Sequence, residues 1–403
     1  MEIKKIKKRQ WKLFLFILYL VIVTIGICSI TVVRPIGGSI WRLVTGEYSV
    51  EEAKQTIEIA LTDELTYHDY MIELNGYREN LLGTRVIFKD DIAIVKSYSD
   101  SLVDTKVKIE NEDVFSSAEL IKKLYIISEE NGAEFLYCAA PRKELYTELP
   151  ENVPNAFLEN YQSLLGSFEK LNIPYIDLAN SLENVDCATS ELFYYTDHHW
   201  TSYAGFLANN AICKELKERY SFNYNEKYCD LNQYMIKKYD NIFLGSKGKK
   251  VGAHFTEHGA DDFELIVPRF KTSLIEEQPF KNEIREGVFE DTVLYMENLK
   301  KDYYNVNTYA TYSGGDFRLQ IMKNNLNKDG KKILLIRDSF ACVVTPFLAL
   351  QSSELHICDV RDGSYYVGDK LNMEQYIKEI KPDYVMVLYT DVDEPTSSRY
   401  NFF

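Results

Sequence analysis

The sequence withholds most of the signatures that announce a chemistry at once. It has no P-loop and no GxGxxG run, so nothing marks a phosphate or dinucleotide cradle. Its seven cysteines, Cys28, Cys138, Cys187, Cys213, Cys229, Cys342 and Cys358, form no CxxC pair and no zinc-ligand spacing. Cys138, Cys342 and Cys358 stand in apolar runs and read as core residues. Basic charge is scarce. The 46 Lys and Arg face 61 Asp and Glu, a net charge of -15, which excludes the basic footprint that nucleic acid requires. With 10 prolines and 19 glycines in 403 residues, and no internal repeat, the chain is neither fibrous nor low-complexity. It is long enough for one large domain or two moderate ones.

Basic charge is concentrated at the start. Lys4, Lys5, Lys7, Lys8, Arg9 and Lys12 precede residues 13–33, an uncharged run of 21 residues. At about 1.5 Å per residue, that run just spans a bilayer core as a helix. The positive-inside rule then puts the tail in the cytoplasm and the rest of the chain outside the cell membrane. A cleaved signal peptide competes, but no good small-x-small site is present, and Ile27 before Cys28 spoils a lipobox. The expected organisation is a basic cytoplasmic tail (1–12), a single-pass transmembrane anchor (13–33), a membrane-proximal stalk and helical segment (34–84) and an α/β domain (85–403). Within that domain, residues 219–325 read as an irregular, tyrosine-rich insertion.

Elsewhere the domain alternates regularly. Residues 85–95 read as a hairpin around Asp90-Asp91. A capping box at Ser116-Ser117-Ala118-Glu119 opens a helix ending near Gly132. Short apolar strands are expected at 134–140, 174–178, 332–336, 355–360 and 384–389, with helices at 155–171, 202–218, 340–350 and 373–380. Strands alternating with helices predict a parallel sheet covered on both faces.

Two blocks carry candidate chemistry. Thr196-Asp197-His198-His199-Trp200-Thr201 stands just before a helix and sets two of the six histidines beside a carboxylate. Ile336-Arg337-Asp338-Ser339-Phe340 reads as a buried strand, a sharp turn and a helix, which puts Ser339 at a strand's carboxyl end and near free helix N–H groups. A serine hydroxyl needs a base within reach, and the base needs an orienting carboxylate. Asp-x-His spacing lets Asp197 and His199 come from one turn and serve as orienter and base. Each block has a plainer reading. Asp338 can cap the following helix, and a His-His pair is often structural or, less often, a metal site lacking further ligands here. Trp200 reads as packing beneath the site. His198 can support the backbone or touch substrate. Arg361 can bind substrate or pair with Asp338 or Asp359. His254 and His258 have i, i+4 spacing, but Gly252 and Gly259 bracket them and make a solvated loop the better reading. The 30 tyrosines can stack on sugars or simply fill core and surface.

At Asp197-His198-His199-Trp200 the chain resembles the DHHW family of bacterial surface proteins, related to the alginate O-acetyltransferases and to the SGNH hydrolase superfamily. Other segments resemble that family in the same order: Ala140-Pro141-Arg142-Lys143 with Tyr146 and Leu149-Pro150, Phe193-Tyr194-Tyr195-Thr196, Phe243-Leu244-Gly245-Ser246, the Asp338-Ser339-Phe340 turn, and Cys358-Asp359-Val360-Arg361. The resemblance covers about residues 85–395. It implies an SGNH-hydrolase-like three-layer α/β fold in circularly permuted order. It also implies a triad of Ser339, His199 and Asp197, with no metal and no cofactor. The implied activity is O-acyl transfer, most simply O-acetyl, to a surface or exported polysaccharide, with a membrane-bound O-acyltransferase as donor. A carbohydrate esterase with the same triad, and an inactive glycan-binding or assembly scaffold, are the alternatives. One position departs. Relatives commonly show Gly-Gly-Asn where this chain has Gly314-Gly315-Asp316, and a carboxylate repels an oxyanion. The backbone N–H groups of Gly315 and Ser339 remain candidates for that role.

Overall fold

A computed structural model describes residues 14–21, 23, 30–62, 68–89, 92–183, 185, 187–363, 368–390 and 392–403. The chain divides into two compact units, residues 1–78 and 79–403. In the first, helices α1 (Ile30–Thr45) and α2 (Val50–Thr62) pack together; α3 covers His68–Leu81. The expected span 13–33 lies partly outside the described residues. Among those described, no helix is long and apolar enough to cross a membrane.

The second unit is built on an eight-stranded sheet. Its strands, in chain order, are β4 (Glu134–Ala139), β5 (Tyr175–Asp177), β8 (Leu274–Gln278), β9 (Glu283–Gly287), β10 (Leu319–Asn324), β11 (Lys332–Arg337), β12 (Glu354–Cys358) and β13 (Tyr384–Tyr389). Across the sheet the order is β5-β4-β13-β11-β12-β10-β8-β9. The first five are parallel and the last three antiparallel. The remaining strands lie outside this sheet: β1 (Val86–Lys89), β2 (Ile92–Lys96) and β3 (Leu102–Val103) form a small meander, and β6 (Tyr234–Phe243) pairs with β7 (Asp261–Pro268).

The parallel strands are apolar on both faces because both faces are covered. In β11, Ile333 and Leu335 enter one core and Leu334 and Ile336 the other. One face is covered by α4 (Asn111–Glu130), α5 (Phe157–Leu171) and α8 (Met373–Ile380), the other by α6 (Ser202–Tyr220) and α7 (Thr345–Gln351). Each fully buried Leu or Ile here contributes about 1.5–3 kcal/mol by leaving water.

Three expectations need correction. The sheet is mixed, not parallel, and its antiparallel strands come from residues 219–325, which are folded rather than irregular. The helix placed at Ser116 begins at Asn111. Glu112 and Asp113 supply the negative charge that suits its first turn, and the Ser117 hydroxyl instead donates to the Asp393 carbonyl at 2.8 Å. The helix expected over 340–350 is a 3-10 turn, Ser339–Val343, followed by α7, because Pro346 sits in the first turn of α7 and starts it there. The hairpin at 85–95 is present as β1–β2, with Asp90 and Asp91 outside the described residues.

Candidate active site

The carboxyl ends of the parallel strands gather the chemistry. β11 ends at Arg337, so Asp338 and Ser339 emerge in the crevice where open α/β sheets place their sites. Beside it, β4 runs into Arg142 and Lys143, β12 into Asp359, and β13 into Thr390.

The Ser339 turn is held by Asp338. One carboxylate oxygen caps the 3-10 turn by accepting the Phe340 N–H at 3.1 Å. The other accepts from the Thr390 N–H at 2.9 Å, the Thr390 hydroxyl at 3.0 Å and the Arg399 guanidinium at 2.8 Å. Burial pushes this carboxyl up, but Arg399, Arg361 and the Thr390 N–H outweigh it and hold it below the ordinary value. Asp338 is therefore a cap, but one fixed by a buried ion pair.

The histidine comes from the segment before α6, which packs in the same core as the serine turn. Thr196-Asp197-His198-His199-Trp200 has no regular structure of its own, so other groups must fix it. The buried Asp261 carboxylate accepts from the N–H groups of Tyr195 (2.7 Å) and Thr196 (2.8 Å) and from the Thr196 hydroxyl (2.5 Å). Lys143, 1 % exposed, donates to the carbonyls of Tyr194 and Tyr195. Burial lowers its ammonium to about 8. Trp200 closes the far end; its indole N–H donates to the Phe340 carbonyl at 2.8 Å and so ties the histidine segment to the serine turn.

Phe243-Leu244-Gly245-Ser246 completes the support. A Cβ on Gly245 would lie 2.2 Å from Asp197 Cβ, so only glycine allows the approach. That approach brings the Ser246 N–H to 2.6 Å from Asp197 Oδ2.

The three side chains form one hydrogen-bonded chain. Asp197 Oδ1 lies 2.5 Å from His199 Nδ1, and His199 Nε2 lies 2.7 Å from Ser339 Oγ. The carboxylate can only accept, so Nδ1 carries the hydrogen and Nε2 is left to accept from the serine hydroxyl. Burial raises Asp197, but His198, His199 and the Ser246 N–H overcome this and hold it well below the ordinary carboxylate range. The His199 ring stacks on Tyr309, centroids 3.9 Å apart and planes 15° apart, which fixes its tilt. His198 meets the Ser246 hydroxyl at 3.0 Å, and burial and the neighbouring His199 depress its basicity.

Ligand atoms of Asp197, His198 and His199 also lie within 4.8 Å of one another, as a metal would need. Both Asp197 oxygens already accept N–H groups, however, and the His199 nitrogens face Asp197 and Ser339. His254 and His258 are not on one helix. His254 lies in a 3-10 turn, and His258 follows it, stacked on Tyr195.

Asp316 stands beside the serine turn but is not a lone charge. It pairs with Arg337, and Arg361 approaches its other oxygen at 3.3 Å. These guanidinium groups outweigh burial and lower its pKa. Arg361 also grips Asp359 at 2.6 Å and does not pair with Asp338 directly. Ser313, Gly314 and Gly315 take three successive left-handed conformations, with φ of 58°, 71° and 102°. The N–H groups of Gly315 and Ser339 have no acceptor among the described residues.

Sequence reading had no role for Tyr309, Thr390 or Arg399 and weighed Asp261 only as a metal-ligand candidate beside His254 and His258; each is distant along the chain from the group it supports. Lys143 and Ser246 were visible only as letters of the resembling segments.

Residues 103–236 match the family described as SGNH hydrolase-like domain, acetyltransferase AlgX. The match covers about a third of the chain and includes Asp197 and His199 but not Ser339. No curated protein matches. Among solved structures, Bacillus cereus PatB1 shares 19% identity over 79% of this chain and 99% of its own, with a TM-score of 0.62; its sulfonyl adduct gives 0.61 over 78% and 98%. A DHHW family protein from Eubacterium siraeum shares 19% identity over 78% of this chain and 97% of its own, with a TM-score of 0.55. The resemblance to the DHHW and alginate O-acetyltransferase proteins therefore stands, and with it an SGNH-like α/β fold.

Proposed function

We propose that this chain is a serine-dependent O-acyltransferase, most simply an O-acetyltransferase, that modifies a surface or exported polysaccharide outside the cell. The observation that carries the reading is the continuous Asp197–His199–Ser339 chain at the carboxyl end of β11. His199 Nε2 takes the Ser339 proton as Oγ attacks the acyl carbonyl carbon. The C–O bond to the donor breaks, and the imidazolium returns its proton to the departing oxygen. Asp197, held ionised, stabilises that imidazolium. The free N–H groups of Ser339 and Gly315 are the donors available to the developing oxyanion. A sugar hydroxyl, deprotonated by the same His199, then attacks the acyl carbon; the bond to Ser339 Oγ breaks, and the imidazolium returns the proton to that oxygen.

Asp316 does not argue against activity, because its charge is met by Arg337 and Arg361. The uncharged run at 13–33 after a basic tail supports a membrane tether, which would keep the enzyme where a membrane-bound acyl donor and an exported polymer meet. An esterase uses the same acyl-enzyme with water as acceptor. Turnover of an acetyl ester with and without oligosaccharide separates the two. The transferase reading predicts acetylated sugar at the expense of free acetate, and acetate alone would overturn it.

A further inference from the structure

Beneath the Ser313–Asp316 loop lies a buried polar cluster that the triad does not use. Glu276 is 1 % exposed at the middle of β8, the strand next to the antiparallel edge of the sheet. Its Oε1 accepts from the Tyr295 hydroxyl at 2.6 Å, Gln320 Nε2 at 2.5 Å and Gln278 Nε2 at 2.9 Å. The Arg285 guanidinium stands 3.8 Å from Oε2 and lies over the Tyr295 ring. Burial raises the Glu276 carboxyl above its ordinary value. Glu276 Oε2, Gln278 Oε1, Gln320 Oε1 and Arg285 Nη1 are buried and have no hydrogen-bond partner among the described residues. An apolar strand would be cheaper here, and such a cluster persists where something else depends on it.

Two arms leave Glu276, and both reach the loop. Gln320 Nε2 also donates to the Ser313 carbonyl at 3.0 Å. Tyr295, fixed through its hydroxyl, lies directly under Gly314: a Cβ there would sit 2.6 Å from the ring. The loop then holds the serine turn. The Ser313 hydroxyl bonds the Cys342 carbonyl at 3.1 Å and Thr345 Oγ1 at 2.9 Å, while the Gly315 carbonyl and Asp316 are gripped by Arg337, the residue before Asp338. Three consecutive left-handed residues cost free energy unless the surroundings enforce them.

We propose that Glu276 is a positioning residue for the reaction, setting the backbone of Ser313–Asp316, and so the Gly315 N–H, through Gln320 and Tyr295. This rests on the proposed acyl transfer at Ser339. The test uses the full chain with Glu276→Gln, which keeps the shape and removes the charge. It also uses Tyr295→Phe, which removes one hydroxyl and keeps the ring under Gly314. Amide hydrogen exchange across residues 313–316 should speed up at least about tenfold in both, with the parallel strands unchanged. On an acetyl ester, kcat should fall roughly ten- to a hundredfold with KM changed less than about twofold. Unchanged exchange, or faster exchange with unchanged kcat, would overturn the proposal. Should Glu276→Gln fail to fold, Tyr295→Phe decides in the same way. If wild type and Ser339→Ala turn over the ester equally, acyl transfer at Ser339 falls, while exchange still decides whether Glu276 sets the loop.

Discussion

The two arms of the site are held by buried carboxylates of opposite character. On the serine arm, Asp338 accepts from a guanidinium as well as from N–H and hydroxyl groups, and its pKa is lowered. On the histidine arm, Asp261 accepts two N–H groups and a hydroxyl with no guanidinium against it, and burial raises its pKa. Asp338 is therefore held by a guanidinium in contact, whereas Asp261 is held mainly by hydrogen bonds, with the His258 imidazole at 3.7 Å. A nucleophile turn must resist displacement as bonds form, and an ion pair anchors it. A segment that carries a base need only be oriented.

The largest effect should come from the reacting groups that the arms carry. Ser339→Ala and His199→Ala should each lower kcat/KM on an acetyl ester at least about a thousandfold. The thermal midpoint of Ser339→Ala should stay near wild type, because Ser339 is half-buried and loses only a hydroxyl, while His199→Ala gives up a buried ring stacked on Tyr309 and should lower its midpoint by a few degrees. Calorimetry beside the kinetics separates lost chemistry from lost fold.

Next is the ion pair. Asp338→Asn removes one of the two carboxylates from the buried Arg399, leaving Asp393 at 2.9 Å, and should cost about 3 kcal/mol in urea unfolding. Asp261→Asn keeps one acceptor oxygen and should cost less, about 1–3 kcal/mol. The arms should also separate with pH. The lowered Asp338 contributes fully above its unfolded pKa, near about 4, and loses that contribution as pH falls through the folded value. The raised Asp261 does the reverse: ionisation costs folded stability as pH rises through its folded value. From about pH 4 to pH 7 the deficit of Asp338→Asn should stay level, shrinking only as pH falls below about 4, whereas that of Asp261→Asn should narrow as pH rises above about 4. Parallel trends would remove the distinction between the arms.

The smallest effect concerns Asp316. Because Arg337 and Arg361 meet its charge, Asp316→Asn should change kcat by no more than about threefold. A large gain in kcat would mean that the carboxylate works against the oxyanion.

The parallel half of the sheet was legible because strands buried on both faces read as apolar runs, such as Ile333–Ile336 and Val385–Leu388. The antiparallel half was not. Leu274-Ile275-Glu276-Glu277-Gln278 buries a glutamate and a glutamine in its sheet, and β9 is mostly charged and exposed, so no periodicity marks either as a strand. The site divides in the same way. Asp197, His199 and Ser339 were legible as two compact blocks whose resemblance fixed their pairing. Asp261, Tyr309 and Arg399 act on those blocks from 61 or more residues away in sequence, and nothing local marks them. The helix start at Asn111 was missed because Ser116 and Glu119 satisfy the capping pattern equally well from inside the helix.

The decisive measurement is intact-mass analysis of the full chain after brief exposure to 4-nitrophenyl acetate, with Ser339→Ala and His199→Ala alongside. An added mass of one acetyl group, mapped to Ser339, absent from Ser339→Ala and not formed in His199→Ala, is the predicted result. A folded wild-type protein that gains no acetyl group, or one that gains it equally in Ser339→Ala, would contradict acyl transfer through this serine.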